Sequence, residues 1–220
     1  YLNTGKRSIT LDVETVEGQN IFRRLADDAD LIIESSIPGT MTDIGLDLDQ
    51  LSVSNPGLVM ASITFFGQDG PYSRYKGGEL IAQAISGNLQ ITGSPDREPL
   101  MVGDYLAQYV GGQAACVSAL MAVFHSMMFG EGQSVDCSII EANTDLLDRW
   151  GIDAVLGRGD QPRTGMAHHW TYPTQLSPCR DGYVALGIEP AGWSAFADMV
   201  GNDALRKPEY TGPDRKQHHG

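Results

Sequence analysis

Two features of this 220-residue sequence predict an α/β fold with a parallel sheet. Strand-like and helix-like segments alternate along the first third of the chain, and the apolar run Leu58–Thr64 is typical of a strand covered on both faces. Hydrophobic residues make up 41% of the chain, which is enough for one sizeable core or two modest ones. We therefore expect a globular unit of the size of an enzyme domain.

The alternation begins near the N-terminus. Apolar and polar residues alternate over Ser8–Val13, which predicts a strand, and one apolar stripe over Thr15–Ala26 predicts a helix. Leu31–Ile33 has the apolar character of a buried strand, and it is broken at its carboxyl end by the loop Ser35–Gly39. Short helices are expected at Leu46–Leu51 and Leu80–Ile85, the second ended by Gly87.

A long helix is predicted from about Leu106 to Met128. Its Gly, Ala and Met content lets its backbone approach neighbouring elements closely, so we expect this helix to lie in the core. Its most apolar stretch, Ala114–Phe124, is shorter than the roughly 20 residues that span a bilayer, so we expect no membrane segment. The glycines of Gly130–Gln133 end the helix, and Ser134–Ile140 is expected to be a strand.

A change in composition after Gly157 predicts a domain boundary. Residues 1–156 are expected to form a large domain, and residues 157–220 a linker and the start of a smaller one. The smaller part contains a predicted strand, Tyr183–Gly187, and an amphipathic segment, Trp193–Val200. Because the chain starts with Tyr1 and ends abruptly, we expect it to be an internal segment of a longer protein.

Composition also limits the ligands and the compartment. The net charge of -13 argues against nucleic acid as a partner, because such binding depends on clustered Lys and Arg. Three cysteines without a CxxC pair favour reduced thiols in a cytoplasm, and no signal peptide is visible. His168 and His169 are adjacent and lack a third ligand at metal-binding spacing, so no metal site is expected.

Three loops are candidates for ligand binding. Ser35–Gly39 lies at the carboxyl end of a strand, which is where open α/β sheets bind ligands. Asn3–Arg7 and Arg74–Lys76 are basic spots that could meet a phosphate, although solvated surface charge is the commoner explanation of each. The sequence contains no GxxxxGK[ST], GxGxxG or GxSxG motif, which argues against nucleoside triphosphates, dinucleotides and α/β-hydrolase chemistry.

Several stretches, taken together, resemble the class III CoA-transferase family, which includes formyl-CoA transferase and carnitine CoA-transferase and is related to α-methylacyl-CoA racemase. The resemblance rests on the order and spacing of these stretches, and it extends over nearly the whole chain. The stretches are Asn3–Asp12, Ala29–Glu34 with Pro38 and Gly39, Asn55–Val59, Phe66–Tyr72, Gly130–Asp136, and Cys179–Ala185 followed by Trp193.

The resemblance implies a Rossmann-like large domain plus part of a smaller second domain, with two full-length chains interlocked as a homodimer or paired with a paralogue. Coenzyme A, in the form of an acyl-CoA, would be a substrate, with no permanently bound cofactor. The family's opening strand and helix and its closing segment are not matched in this sequence. By resemblance, the loop around Asn3 and Lys6, with Arg7 beside it, and the strand-end residues Ser35, Ser36 and Ile37 would line the nucleotide end of CoA. Lys76 and Glu79 match family positions beside the thioester region. A family arginine after the Pro-Gly of the strand-end loop is replaced by Asp43.

The family's nucleophile is an aspartate that attacks the acyl-CoA thioester. Counting from Gly112 and from Pro99 without gaps places Gln108 at that position, and a neutral amide cannot form the mixed anhydride that the route requires. Asp104 lies four residues earlier and would share a face with Gln108 if the helix ran through it. Asp104 is thus the candidate for a displaced nucleophile, and a helix-terminal acid is its alternative explanation.

Three functions follow from the resemblance. The first is transfer of CoA from an acyl-CoA thioester to a carboxylic acid. The second is a non-catalytic acyl-CoA-binding subunit that pairs with an active paralogue. The third is a racemase-like enzyme that removes a proton beside the thioester carbonyl, which would require a His or Asp base with a suitable pKa.

Overall fold

The computed structural model describes residues 1–147, 149–159, 162–165 and 173–211. By their contacts, these residues divide into two compact units. The first unit comprises Tyr1–Asn88 and Val102–Arg158, and the second comprises Leu89–Met101 and the described residues from Gly159 onward. The assignment of residues 1–156 and 157–220 to two domains stays a prediction. No pattern in the sequence indicates that residues 89–101 group with the second unit.

A parallel three-stranded sheet organises the first unit, as the sequence predicts. Its strands are β1 (Leu31–Glu34), β2 (Val59–Thr64) and β3 (Ser134–Ser138), in the order β1-β2-β3. Leu31 lies opposite Val59, and Met60 lies opposite Ser134. Parallel strands need a crossover between them, so the carboxyl ends of all three strands meet at one edge of the sheet.

In the part of the chain that is described, seven helices of the first unit surround or follow these strands, and α5 lies mostly in the second unit. They are α1 (Val16–Ala26), α2 (Thr40–Asp43), α3 (Leu48–Leu51), α4 (Glu79–Ile85), α5 (Asn88–Ile91, which continues into the second unit), α6 (Leu106–Phe129), α7 (Ile139–Asp145) and α8 (Arg149–Val155). Thr15 caps α1 by accepting a hydrogen bond from the Gly18 N–H at 3.1 Å. At its other end, α6 stops at Gly130, whose positive φ of 75° suits glycine.

Two hydrophobic cores lie in the first unit. Ala26, Leu46, Leu51, Leu58 and Met60 form one, into which side chains of α1 to α3 pack. Ala82, Ala107, Ile139 and Ile140 form the other, with Ile63, Phe65 and Phe66 packed against it. Met60 belongs to the first core and Ile63 to the second, as the alternation of side chains along a strand requires. Helices therefore cover both faces of β2.

Helix α6 differs from its prediction in how much of it is covered. Its bounds agree with the sequence, but only the small-residue stripe Ala107, Gly111, Ala115, Ala119 and Ala122 is buried. The opposite face, which includes Leu120, Phe124 and Met127, is exposed. Because α6 is apolar on all sides, its composition could not show which face packs. By length and composition alone α6 could cross a membrane, with 17% of the tested window buried, and a single such helix is weak evidence for a span.

Two strands predicted from the sequence differ in the structure. Ser8–Val13 is irregular and not a strand, since no described strand of the first unit pairs with it and a lone strand cannot satisfy its backbone hydrogen bonds. The predicted strand Ser134–Ile140 ends at Ser138, because the Ser138 side chain accepts from the Glu141 N–H at 3.2 Å and starts α7.

The second unit contains an antiparallel pair of strands. β4 (Thr174–Cys179) pairs with β5 (Gly182–Gly187), which confirms the strand expected at Tyr183–Gly187. The amphipathic segment is helix α9 (Trp193–Val200), and the buried Trp193 donates its ring N–H to the Leu205 carbonyl at 2.7 Å. Helix α10 (Pro208–Thr211) follows. His168 and His169 lie outside the described residues.

Candidate functional site

A cavity of about 720 Å³ opens in the first unit where β1 and β2 end. Its lining comes from the loop after β1, the loop after β2, the first turns of α6 and the start of α7. This is the edge at which parallel α/β sheets bind ligands, because loops and helix starts leave polar groups there without regular partners. The volume lies in the range of cofactor and small-molecule sites.

One wall is the strand-end loop predicted from the sequence, with Ser35, Ser36 and Ile37 all lining the cavity. Glu34 shapes this loop, because its Oε2 accepts from the Ser36 N–H at 2.6 Å. Thr64, at the end of the neighbouring strand, also lines the cavity, and its buried Oγ1 has no hydrogen-bond partner among the described residues. A buried hydroxyl without a partner is costly, so Thr64 offers a contact to a bound ligand.

The opposite wall is aromatic. Phe66, Tyr72 and Tyr75 form a cluster with ring centroids 5.4 to 6.2 Å apart, and Phe66 and Tyr75 line the cavity. Gly77 passes so close to Phe65 that a Cβ at position 77 would lie 2.1 Å from the Phe65 ring. Only glycine fits there, which is why the loop can fold back beside the cavity.

Two cations, Arg74 and Lys76, stand in this aromatic loop and line the cavity. Both are exposed, and neither forms an ion pair with a carboxylate of the described residues. In a chain with a net charge of -13, these two cations give the mouth of the cavity a local positive charge.

Gln108 lines the same cavity from the first turns of α6. Its Nε2 donates to Glu79 Oε2 at 3.3 Å, while Glu79 Oε1 accepts from the Ala107 N–H at 2.7 Å and from Gln83 Nε2 at 2.8 Å. Glu79 itself does not line the cavity. Partial burial alone would raise the pKa of Glu79, but the backbone N–H of Ala107 and the amides of Gln83 and Gln108 lower it, and the net pKa is below its ordinary value.

Asp104 lies outside the helix that was expected to contain it. Helix α6 begins at Leu106, and Asp104 precedes it with a left-handed φ of 67°. The spacing of four residues therefore does not bring Asp104 and Gln108 onto one helical face. Asp104 is exposed and does not line the cavity, and the N-terminal cap position belongs to Tyr105.

The N-terminal basic spot does not reach this cavity in the first unit. Lys6 donates to Asn3 Oδ1 at 3.0 Å, and both side chains are exposed, as is Arg7. Lys6 instead lines a second cavity of about 570 Å³, whose lining shares Gln108 and Gly112 with the first. Gln108 therefore stands between two openings. Asn3 and Arg7 line neither of them.

Within the described residues, no group of three His, Cys, Asp or Glu side chains is placed to hold a metal ion. Sequence reasoning passed over Glu34 and Thr64, which line the cavity. It also passed over Gln83 and Asn143, which lie outside the lining and hydrogen-bond Glu79 and the Ala107 carbonyl. The first two stand at strand ends, which is a usable signal for a parallel sheet. Gln83 and Asn143 lie inside short helices, and no local pattern distinguishes a buried amide there from an exposed one.

Comparisons with known proteins identify the family of this chain. The model of CoA-transferase family III matches residues 1–219. The chain belongs to CoA-transferase family III. Its relatives include the succinate–glutarate CoA-transferase of Agrobacterium fabrum, which is 36% identical over 94% of this chain and 52% of the relative. The subunit BbsE of the succinyl-CoA:(R)-benzylsuccinate CoA-transferase of Thauera aromatica is 36% identical over 89% of this chain and 48% of the relative.

A solved structure of a CaiB/BaiF family protein from Brucella suis has the same fold. It superposes with a TM-score of 0.80 at 30% identity and covers 96% of this chain and 57% of that protein. This chain of CoA-transferase family III thus spans about half the length of the relatives it matches. The α/β fold with a parallel sheet is confirmed.

Proposed function

We propose that this chain is the acyl-CoA-binding half of a CoA-transferase that moves CoA from an acyl-CoA thioester to a carboxylic acid. The observation that carries the proposal is the first cavity, in which a strand-end loop, two unpaired cations and Gln108 meet in a member of CoA-transferase family III. CoA carries phosphates at one end and a thioester at the other. Arg74 and Lys76 would attract this anionic ligand, and its thioester would lie near Lys76 and Gln108.

The site residues divide into two groups under this proposal. Ser35, Ser36, Ile37 and Lys76 line the cavity and would contact CoA directly. Glu79 would act through Gln108, to which it is hydrogen-bonded. Asn3, Lys6 and Arg7 would contribute only if the ligand extends to the second cavity, which Lys6 lines. We further propose that the protein acts in the cytoplasm and holds no permanently bound cofactor.

A second candidate function is favoured by Gln108 itself. An amide has no nucleophilic carboxylate oxygen, so it cannot take an acyl group from a thioester by the aspartate route. Asp104, the displaced candidate, is exposed and outside the cavity lining. A non-catalytic acyl-CoA-binding subunit that pairs with an active paralogue would account for both facts. The relative BbsE is named as a subunit, which supports a heteromer over a homodimer.

A trapping experiment tests the proposal. The full-length protein is incubated with acyl-CoA labelled in the acyl group, treated with hydroxylamine or borohydride, and searched for modified carboxylates by mass spectrometry. Modification at Asp104, lost in Asp104→Asn, would support transfer by the chain alone. CoA binding without any modified residue would contradict transfer by the chain alone and favour the subunit function.

The Gln108→Asp variant separates these cases further. If the cavity positions the thioester at residue 108, this change should create a trappable carboxylate, whereas the shorter neutral amide of Gln108→Asn should not. Exchange of the acyl α-hydrogen for deuterium, without trapping, would instead support the racemase-like alternative. The absence of CoA binding by any variant would contradict all three functions.

A further inference from the structure

Asp104 is the one residue other than glycine that has a positive φ in the part of the chain that the structure describes. Its φ of 67° lies in the left-handed region, which costs free energy for a residue with a Cβ, although aspartate tolerates it better than most. Such a conformation persists only where the surrounding structure imposes it, and it is commonest at functional sites. Contacts on either side of Asp104 must therefore hold this backbone in place.

Gln83 fixes the chain two residues before Asp104. It is fully buried, its Oε1 accepts from the Val102 N–H at 2.9 Å, and its Nε2 donates to the Val102 carbonyl at 3.0 Å. The amide thus pairs with both backbone groups of one residue, as a neighbouring strand would. Turning the amide over would set donor against donor and acceptor against acceptor, so only one orientation fits. Val102 is therefore fixed in both position and direction.

A second contact fixes the chain three residues after Asp104. The N–H of the buried Ala107 donates to Glu79 Oε1 at 2.7 Å, and the same oxygen accepts from Gln83 Nε2 at 2.8 Å. Glu79 and Gln83 both belong to α4. Because one helix holds both ends of residues 103–106, this short segment keeps the bend that gives Asp104 its left-handed backbone.

Asp104 is exposed, and it stands beside residues that line the cavities. The next residue, Tyr105, lines the second cavity, and Gln108 lines both. A carboxylate that attacks a thioester carbonyl loses rate steeply when it is misplaced by about 1 Å. A carboxylate on a free loop would suffer this loss, whereas one on a segment held at both ends keeps its place.

We propose that Gln83 is a positioning residue for Asp104: by holding both backbone groups of Val102, it keeps the Asp104 carboxylate placed to attack the acyl-CoA thioester. The inference rests on the proposed function, from which it takes the ligand and the reaction. In that reaction a carboxylate oxygen of Asp104 bonds to the thioester carbonyl carbon, the carbon–sulfur bond breaks, and the sulfur leaves with the electron pair as CoA thiolate. Gln83 lines neither cavity, so it acts through the backbone and touches no substrate.

The first test detects the hold of Gln83 on position 104 without any reaction. A left-handed backbone favours glycine over alanine, so Asp104→Gly should melt above Asp104→Ala in the full-length protein. In a Gln83→Met background the segment is released, and the alanine variant should then melt at the same temperature as the glycine variant or above it. Methionine keeps the volume of glutamine in the core, so Gln83→Met is expected to fold.

Asn55 supplies a matched control. Its Nδ2 also donates to two backbone carbonyls, those of Ala26 and Ala29, at 3.0 and 2.9 Å, but these residues belong to the other core of the first unit. In an Asn55→Ala background the glycine variant at position 104 should still melt above the alanine variant. Persistence of this order in Gln83→Met, or its loss in Asn55→Ala as well, would overturn the proposal.

Hydrogen exchange in the unmodified protein reads the same contact should Gln83→Met fail to fold. The Val102 N–H donates to Gln83, whereas Gly103 is exposed in the bend that follows. The Val102 N–H should therefore exchange at least about 10-fold more slowly than that of Gly103. Equal rates would overturn the proposal.

The second test measures how fast acyl-CoA modifies Asp104 in a single turnover, read by the same trapping, beside the affinity for CoA. Gln83→Met should slow the modification by about 10- to 100-fold and leave the Kd for CoA within about twofold, because the residues that line the cavity are unchanged. An unchanged rate in Gln83→Met, or an equal loss in Asn55→Ala, would overturn the positioning role and leave the proposed function standing. Absence of any modification in the unmodified protein, with CoA bound, would instead overturn transfer by Asp104 and the role of Gln83 with it.

Discussion

Gln108 and Glu79 are compatible neighbours because only one of them carries a charge. The Glu79 carboxylate accepts hydrogen bonds from Gln83, the Ala107 N–H and Gln108, and these donors favour its ionised form. An aspartate at 108 would place a second negative charge beside Glu79 and raise the pKa of one of the two acids. The neutral amide of Gln108 avoids this repulsion.

A pH-dependent contribution to stability follows from the pKa of Glu79. Because the pKa of Glu79 is lowered in the folded chain, its contribution is fully present above the ordinary value of 4.5 and is lost as the pH falls through the folded value. Glu79→Gln should lower the free energy of unfolding by roughly 1–3 kcal/mol at neutral pH. Urea titrations between neutral and acidic pH should show this difference shrinking below the ordinary pKa.

An exposed acid serves as the control for that series. Glu98 lies at the surface of a loop, so Glu98→Gln should change the free energy of unfolding by no more than about 0.5 kcal/mol at any pH. A destabilisation by Glu79→Gln that stays constant down to acidic pH would contradict a role for the ionised carboxylate.

At the residue scale, the sequence could predict the parts of the site that lie at strand ends. Ser35–Ile37 follow β1 directly, and the position of a strand end fixes where its loop can go. Lys76 and Gln108 could be singled out by counting along family motifs. The Glu79–Gln108 contact could not be predicted, because it depends on how α4 and α6 cross. Gln83 and Asn143 were missed for the same reason.

Among the elements, α6 gives the sharpest test of packing because two adjacent glycines have opposite surroundings. A Cβ at Gly111 would lie 2.7 Å from Ile139 Cγ1, whereas a Cβ at Gly112 would meet nothing within 4 Å. Gly111→Ala should therefore destabilise the protein by about 1–3 kcal/mol through overpacking. Gly112→Ala should stabilise it by about 0.5–1 kcal/mol, because alanine favours a helix interior.

Thermal and urea unfolding of the two variants under the same conditions measure the difference. Each glycine is the control for the other, since both sit in the same helix and gain the same methyl group. Equal effects of the two substitutions would show that α6 does not approach α7 as closely as the structure has it.

The bounds of α6 were predictable and its exposure was not. Its start and end could be predicted from its composition and from the glycines after Phe129, because helix ends are set by local residues. The sheet beneath α6 determines which face of the helix is buried. Because α6 is apolar on all sides, its sequence has no amphipathic pattern that would identify this face. The prediction of a strand at Ser8–Val13 was wrong for a related reason. Alternation of apolar and polar residues shows that a segment could be a strand, but not that another strand lies beside it to pair with it.

On the scale of the whole molecule, the exposed face of α6 should drive association. Phe124 and Met127 are 66% and 78% exposed, and Leu120 lies on the same apolar face. Contiguous apolar surface of this kind is rare on soluble monomers. The chain as given should therefore self-associate with rising concentration in sedimentation velocity, and Leu120→Gln with Phe124→Gln should shift the distribution toward monomer.

Val53 is the control for that measurement. It is 84% exposed and lies in a turn away from α6, so Val53→Gln should leave the sedimentation distribution unchanged. An unchanged distribution in the α6 double variant, with near-ultraviolet circular dichroism intact, would show that other surfaces carry the association.

The order of the strands has a consequence for how the protein is made. β2 pairs with β1, which precedes it closely in sequence, and with β3, which comes only after the whole of α6. During synthesis, β1, β2 and α1 to α3 can close the first core while one edge of β2 and its second face still wait for residues that have not left the ribosome. An unpaired strand edge beside uncovered apolar residues is a site of misassociation. Until β3 and α7 arrive, the nascent chain therefore exposes an edge and a face of β2 with which another chain could pair.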